Sequence, residues 1–216
     1  MSRLSSNDGG APEPVVRVAE LMAAFGAPWA LCGGWAVDAW LGRTTREHGD
    51  IDFSVFAQDH AALHAYLSPE WQMVAHAQDW DPANGNEVWD GRRLEPPAHL
   101  HARSGHPPLP EDPILRTEQG FELDIQVDEC QGDEWVLCRE PRIALPVAEA
   151  VRPSPWGVPA AAPEVLLFFK SRELRRRDKA DFAALAPMLD RERRAWLRAA
   201  LERAGHPWVR ELSAAV

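Results

Sequence analysis

Residues 29–55 leave the backbone few choices. A short apolar run, Trp29-Ala30-Leu31-Cys32, suits a buried strand, and Gly33-Gly34 breaks it. Residues 35–41 then read as a short helix stopped by Gly42. After a polar loop over 43–49, Asp50-Ile51-Asp52-Phe53-Ser54-Val55 alternates with period two. That alternation predicts a half-buried strand, with Ile51, Phe53 and Val55 on the core face and both carboxylates on the other. Residues two apart on a strand are roughly 6.6 Å apart at the backbone. Two like charges at that distance repel by about 2.5 kcal/mol at an effective dielectric of 20. A divalent cation offsets that cost. Mg2+ suits such a pair because it takes hard oxygen ligands and shares them with substrate phosphates.

Two glycines at a strand-to-helix turn let a phosphate approach the backbone. The helix that follows offers unpaired N–H groups and the positive end of its dipole. Taken singly, Gly-Gly serves equally as a bare turn, and Asp-x-Asp as a solvated strand face. The conjunction gains a third member in Phe121-Glu122-Leu123-Asp124-Ile125-Gln126-Val127, a second alternating strand. Asp124 beside the first pair could ligate metal or accept the proton of an attacking hydroxyl. Glu122 shares its face and competes for that role.

Around this nucleus the pattern predicts a helix opening at Pro14, with Val15, Val18, Ala19, Met22 and Phe25 at helical spacing and Gly26 as its stop. Asp59 caps a helix reaching Leu67, and strands follow at 71–75, 87–89 and 99–103. A hairpin around Gly120 pairs Ile114-Leu115-Arg116 with 121–127, and 135–139 adds an edge. The proline-rich stretch 141–162 reads as a connector to helices over 163–177, 178–189 and 190–204, the last closed by Gly205. The expected class is therefore α/β (α+β), a mixed twisted sheet flanked by helices. Its divisions are a domain over 1–140, a connector over 141–162 and a helical region over 163–216.

Charge divides the chain. Residues 1–169 hold 11 Lys/Arg against 26 Asp/Glu, net −15, whereas 170–216 hold 12 against 7, net +5. The acidic part disfavours nucleic acid as the main partner and attracts metal ions and cationic ligands; the basic end suits a triphosphate. Both also read as solvated faces. No apolar run approaches the roughly 20 residues of a membrane span, and 1–14 lack the apolar core of a secretory signal. Cys32, Cys130 and Cys138 form no C-x-x-C pair, which fits a reducing compartment, so the cytoplasm is expected. His99, His101 and His106 lie close in sequence, and His-x-His on a strand could face a metal, but no matched Cys or carboxylate spacing supports zinc and loop histidines are the commoner reading. Trp71, Trp80 and Trp89 with Asp79, Asp81 and Asp90 suggest either an aromatic, acidic wall for a cationic acceptor or core residues. Arg175, Arg176 and Arg177 read as a solvated helix face.

The run Leu31-Cys32-Gly33-Gly34-Trp35-Ala36-Val37-Asp38, followed by Gly42-Arg43-Thr44-Thr45-Arg46-Glu47-His48-Gly49-Asp50-Ile51-Asp52, resembles the signature of aminoglycoside and lincosamide nucleotidyltransferases. These belong to the DNA-polymerase-β-like nucleotidyltransferase superfamily. Gly157-Val158-Pro159, Pro163-Glu164-Val165-Leu166, Lys170 and Arg177-Asp178-Lys179-Ala180-Asp181-Phe182 are similar more loosely. The resemblance implies a nucleotidyltransferase fold in which Asp50, Asp52 and Asp124 hold Mg2+ and Asp124 is the general base. Gly33 and Gly34 would line the triphosphate, and Lys170 would face nucleotide phosphate. Arg46 and His48 would order their loop or touch phosphate, with Asp38 pairing Arg46; Lys179 and Asp181 read as a site or as an ion cluster between helices. The implied reaction is in-line, two-metal-type attack by a hydroxyl on the α-phosphorus of ATP or another NTP. It would pass AMP to a small molecule, an aminoglycoside or lincosamide-type antibiotic being favoured. The rivals are a toxin-like enzyme acting on tRNA or protein, and a non-catalytic nucleotide-binding fold.

Overall fold

A computed structural model describes residues 10–76, 87–106, 122–172 and 174–214. Helix α1 (Glu13–Leu21) enters from Pro12 and buries Val15 and Val18. Strand β1 (Trp29–Leu31) leads directly into α2 (Gly33–Leu41). Both glycines thus belong to the first helical turn rather than preceding it. Gly42, in the left-handed conformation at φ 65°, ends α2 as expected. Strand β2 (Ile51–Phe56) follows, then a 3-10 turn (Ala57–Asp59) and α3 (His60–Leu67). Asp50 lies in the bend just before β2. Next come β3 (Trp71–His76), β4 (Glu87–Val88), β5 (Ala98–Ser104) and β6 (Leu123–Gln131).

The sheet runs β4-β3-β5-β6-β2-β1 and then continues into the second half of the chain. β2 and β6 are parallel, while β1–β2, β5–β6, β3–β5 and β3–β4 are antiparallel, so the sheet is mixed. Alternation is kept on its central strands. Phe53, Val55, Leu100, Ile125 and Val127 are buried on one face, and Asp52, His101, Asp124 and Gln126 are partly exposed on the other.

The stretch 141–162 carries regular structure of its own. It supplies β8 (Ala144–Pro146), α4 (Val147–Ala150), β9 (Val151–Pro153) and β10 (Pro159–Ala161), and β10 lies parallel to β1. The prolines misled the reading. Pro146, Pro153 and Pro159 stand at strand ends, where a missing ladder donor is tolerated. β7 (Glu134–Val136) is flanked by the last residues of β6 and by β8, so it is no edge. The hairpin expected around Gly120, with Ile114 to Arg116, lies outside the described residues.

The helical region has earlier breaks than expected. α5 (Pro163–Lys170) stops, Leu174 takes a positive φ of 52°, and α6 (Arg176–Leu185) restarts in a new direction. Asp178 accepts from the backbone N–H of Arg175, the residue that caps α6. A straight helix would put Asp178 about 12 Å along the axis from Lys170. The break instead brings its carboxylate within 3.9 Å of the Lys170 ammonium. α7 (Arg191–Arg203) is capped by Asp190 and closed before Gly205, and α8 (Trp208–Ala214), which the pattern did not predict, follows. α2 packs against β2, α5 and α6, which joins the two halves of the chain. Among the described residues no helix is long and apolar enough to cross a membrane.

Candidate active site

The parallel pairing of β2 with β6 sets Asp52 directly beside Asp124, and the next layer along the strands sets Ser54 beside Gln126. Antiparallel β5 adds His101 opposite Asp124 and His99 opposite Gln126. One sheet face thus carries carboxylates from neighbouring strands, with Asp50 at its lip. Burial, and then repulsion from Asp124 and Asp50, raise Asp52 from the usual carboxylate range to about 7; Lys170 and His99 oppose the shift. A site that concentrates negative charge in partial burial calls for a cation.

The Gly-Gly turn is built against this charge. A Cβ on Gly33, which sits at φ +60°, would fall 1.8 Å from Oδ2 of Asp52. One on Gly34 would fall 2.3 Å from Nδ1 of His48 and 2.5 Å from Nη2 of Arg46. The 43–49 loop is pinned beside that turn by Asp38, which is fully buried on α2. Asp38 accepts from the backbone N–H and the hydroxyl of Thr45, and meets Nε2 of His48 at 2.7 Å. Arg46 Nη1 lies 2.9 Å from Nδ1 of His48, and Trp35 covers the imidazole at 4.3 Å between ring centroids. Asp38 therefore pairs with His48 and Thr45, and Arg46 reaches it only through the histidine. Arg46 donates to Nδ1, which fixes the tautomer with the proton on Nε2, directed at Asp38.

Lys170 completes the opposite wall. Its ammonium is 2.8 Å from Asp181, so Asp181 belongs to the ion cluster between α5 and α6. Gly33, Gly34, Arg46, His48, Asp50, Asp52 and Lys170 line one cavity of about 390 Å³, together with Arg139, Arg175 and Arg177. Arg175 and Arg177 are therefore more than a solvated face. Asp124 belongs to the same carboxylate group but is not among the residues lining that cavity. A second cavity of about 250 Å³, lined by Trp35, Trp71, Arg17 and Glu122, shares His48, Gly49 and Asp50 with the first.

Glu122 is otherwise engaged. It accepts from the backbone N–H and hydroxyl of Ser104 and lies 3.7 Å from Arg17, and the Ser104 hydroxyl chiefly holds its pKa down. Asp124 instead faces two imidazoles, Nδ1 of His99 at 3.4 Å and Nε2 of His101 at 3.9 Å. The hydrogen bond to Asp124 raises the pKa of His99; burial lowers that of His101. These histidines are strand residues. Their His-x-His spacing, with a period of two, puts both rings on one strand face, and what they meet there is the Asp124 carboxylate. His106, by contrast, turns to the backbone of Ser68. Trp89 is a core residue against His64 and forms no acceptor wall. Asp79, Trp80 and Asp81 lie outside the described residues.

Among the described residues no three His, Cys, Asp or Glu side chains already form a metal cage. The donors nonetheless fit Mg2+, which is commonly held by one or two carboxylates with substrate phosphates filling the remaining positions. The missing side chain at Gly33 lets the start of α2 pack directly against Oδ2 of Asp52, so the carboxylate stands at the helix end where a phosphate would be received.

Residues 14–86 match the family model of the aminoglycoside-2''-adenylyltransferases. The fold resembles that of ANT(2")-Ia in complex with adenylyl-2"-tobramycin, with a TM-score of 0.56 and 16% identity, over 89% of this chain and 99% of that one. It also resembles the lincomycin-bound lincosamide antibiotic adenylyltransferase LnuA, with a TM-score of 0.51 and 19% identity, over 82% of this chain and 98% of that one. No curated protein matches the sequence.

Proposed function

We propose that this chain transfers AMP from ATP to a hydroxyl of an aminoglycoside or lincosamide-type antibiotic, on the match of residues 14–86 to the aminoglycoside-2''-adenylyltransferase model and on a fold resembling that of antibiotic adenylyltransferases. The observation that carries this reading is the register of Asp52 with Asp124 on parallel neighbouring strands, facing a glycine turn fitted to Asp52.

Each residue has a part. Asp50 and Asp52 would hold Mg2+, with Asp124 available as a third ligand, and the ion would supply charge compensation for the reacting oxygens. The Gly33-Gly34 backbone and the start of α2 receive the triphosphate, with Lys170 and Arg46 facing its anionic oxygens. Lys170 is held in place by Asp181, so little reorganisation accompanies binding. Asp124 takes the proton of the acceptor hydroxyl, and His99 and His101 orient its carboxylate. Glu122 is a weaker candidate, since Ser104 and Arg17 already occupy it. In-line attack then forms the new ester bond to the α-phosphorus while the bond to pyrophosphate breaks.

The acceptor class is supported by the second cavity, whose Trp35 and Trp71 walls and Glu122 and Asp50 carboxylates suit a cationic sugar. Three free cysteines support a cytoplasmic setting. The −15 balance over residues 1–169 disfavours a tRNA acceptor. Incubation with ATP, Mg2+ and a panel of aminoglycosides and lincosamides tests the reading. A mass gain of one AMP unit on an antibiotic is expected. Label appearing only on tRNA or protein would replace it with the toxin-like activity.

A further inference from the structure

The cavity that holds the glycine turn changes character along the strands. Its first layer is Asp52 on β2, in register with Asp124 on β6. Two residues on, roughly 6.6 Å along the strand direction, stand Ser54 and Gln126, a hydroxyl and an amide on the same cavity wall. Beyond them β7, paired to the far end of β6, brings in Trp135, and α5 brings Phe169 and Leu166. The lining thus passes from charged to neutral polar to aromatic. A nucleoside triphosphate has the same sequence of parts: anionic phosphates, a ribose with hydroxyls, a flat base.

The aromatic end is organised around one pair. The Arg139 guanidinium lies over the Phe169 ring at 5.2 Å from its centroid, and its Nη1 donates to the Phe169 backbone carbonyl. Phe169 leans on Trp135, at 6.2 Å between centroids and 36° between planes, and Trp135 is itself fully buried. The ring is thus backed by the core while Phe169 stays partly exposed and Arg139 exposed. A planar cation placed over an aromatic ring offers a stacking surface to a nucleobase. Phe169 and Lys170 are adjacent on α5, so one helix end serves both ends of the ligand.

Resting on the nucleotidyltransferase reading, we propose that Arg139 and Phe169 form the nucleobase platform of this cavity, with Ser54 and Gln126 in the ribose layer between platform and carboxylates. Arg139 therefore acts on the base and not on phosphate, although it stands in a cavity otherwise rich in phosphate-binding cations.

Equilibrium binding of ATP with Mg2+, and of inorganic tripolyphosphate with Mg2+ as a probe that has no base, tests this on the full chain. Arg139→Gln and Phe169→Leu, the second chosen because it keeps apolar volume against Trp135, should each weaken ATP binding by roughly tenfold or more. Neither should change tripolyphosphate binding more than about twofold, and that unchanged affinity also reports an intact fold. Equal loss of both ligands in Arg139→Gln would make Arg139 a phosphate ligand and overturn the platform. So would ATP binding that is unchanged in both variants. If the parent protein binds neither probe, the nucleotidyltransferase reading itself fails and the platform falls with it. Binding by the parent with no difference in the variants removes the platform alone.

Discussion

Gly33 and Asp52 are fitted to each other: the space a methyl group on Gly33 would need is already taken by Oδ2 of the carboxylate, 1.8 Å away. The glycine also carries a positive φ, so two independent constraints fall on one position. Gly33→Ala should cost roughly 1–2 kcal/mol of stability for the left-handed backbone. It should also lower kcat/KM by about a hundredfold or more, because Asp52 is pushed off its position. A thermal melt read beside steady-state kinetics separates the two effects. An active Gly33→Ala protein would show that the approach is incidental.

The carboxylate beside it makes the sharper kinetic test. Asp124→Asn should reduce kcat by roughly 10²–10⁴, the range for a lost general base, with ATP affinity changed little. Glu122→Gln should stay within about threefold, since its partners Ser104 and Arg17 mark a structural role. Reversal of that order in single-turnover assays would exchange the two assignments.

Asp52 also gives a pH signature. Its pKa in the folded protein is lifted to about 7, so between about pH 4 and 7 the folded state keeps a proton that the unfolded chain has released. The stability tied to that proton is complete below about pH 4 and is lost as pH rises through 7. Buried Asp128, raised to about 6, acts with the same sign. Metal-free protein should therefore melt several degrees lower at pH 8 than at pH 5. Asp52→Asn should remove part of that slope, and Mg2+ at pH 8 should restore Tm in the parent only. Differential scanning calorimetry in chelator and in Mg2+ reads all three.

Loop order depends on one buried carboxylate. Asp38→Ala leaves the His48 Nε2–H and the Thr45 N–H without the buried carboxylate that accepts from both. A loss of roughly 2–4 kcal/mol is expected. Amide exchange in residues 43–49 should accelerate more than elsewhere, because the tether is local. Uniform exchange across the chain would deny the loop its dependence on Asp38.

Much of the site's scaffold was legible where chemistry and periodicity coincided. The alternation around Asp52 and Asp124 told which face each carboxylate takes, and Gly42 told where α2 ends. Adjacency of β2 and β6 was not in the pattern, since register between distant strands follows from three-dimensional packing. His99 and His101 were passed over because a metal-ligand spacing was sought, whereas their partner is a carboxylate on the next strand. The stretch 141–162 hid its strands because proline is a poor guide at strand ends. The break after Lys170 was hidden because the ion pairs it allows, Asp178 and Asp181 with that lysine, appear only once the helices fold back.

The parallel seam between β1 and β10 governs how this chain can be cut. Ala162 alone separates β10 from α5, so the helix bearing Phe169 and Lys170 is attached without slack to the strand alongside β1. Severing after residue 140 would not release a working front half. It would strip β1 of its outer neighbour, bare a row of unsatisfied backbone groups, and invite association through that raw edge.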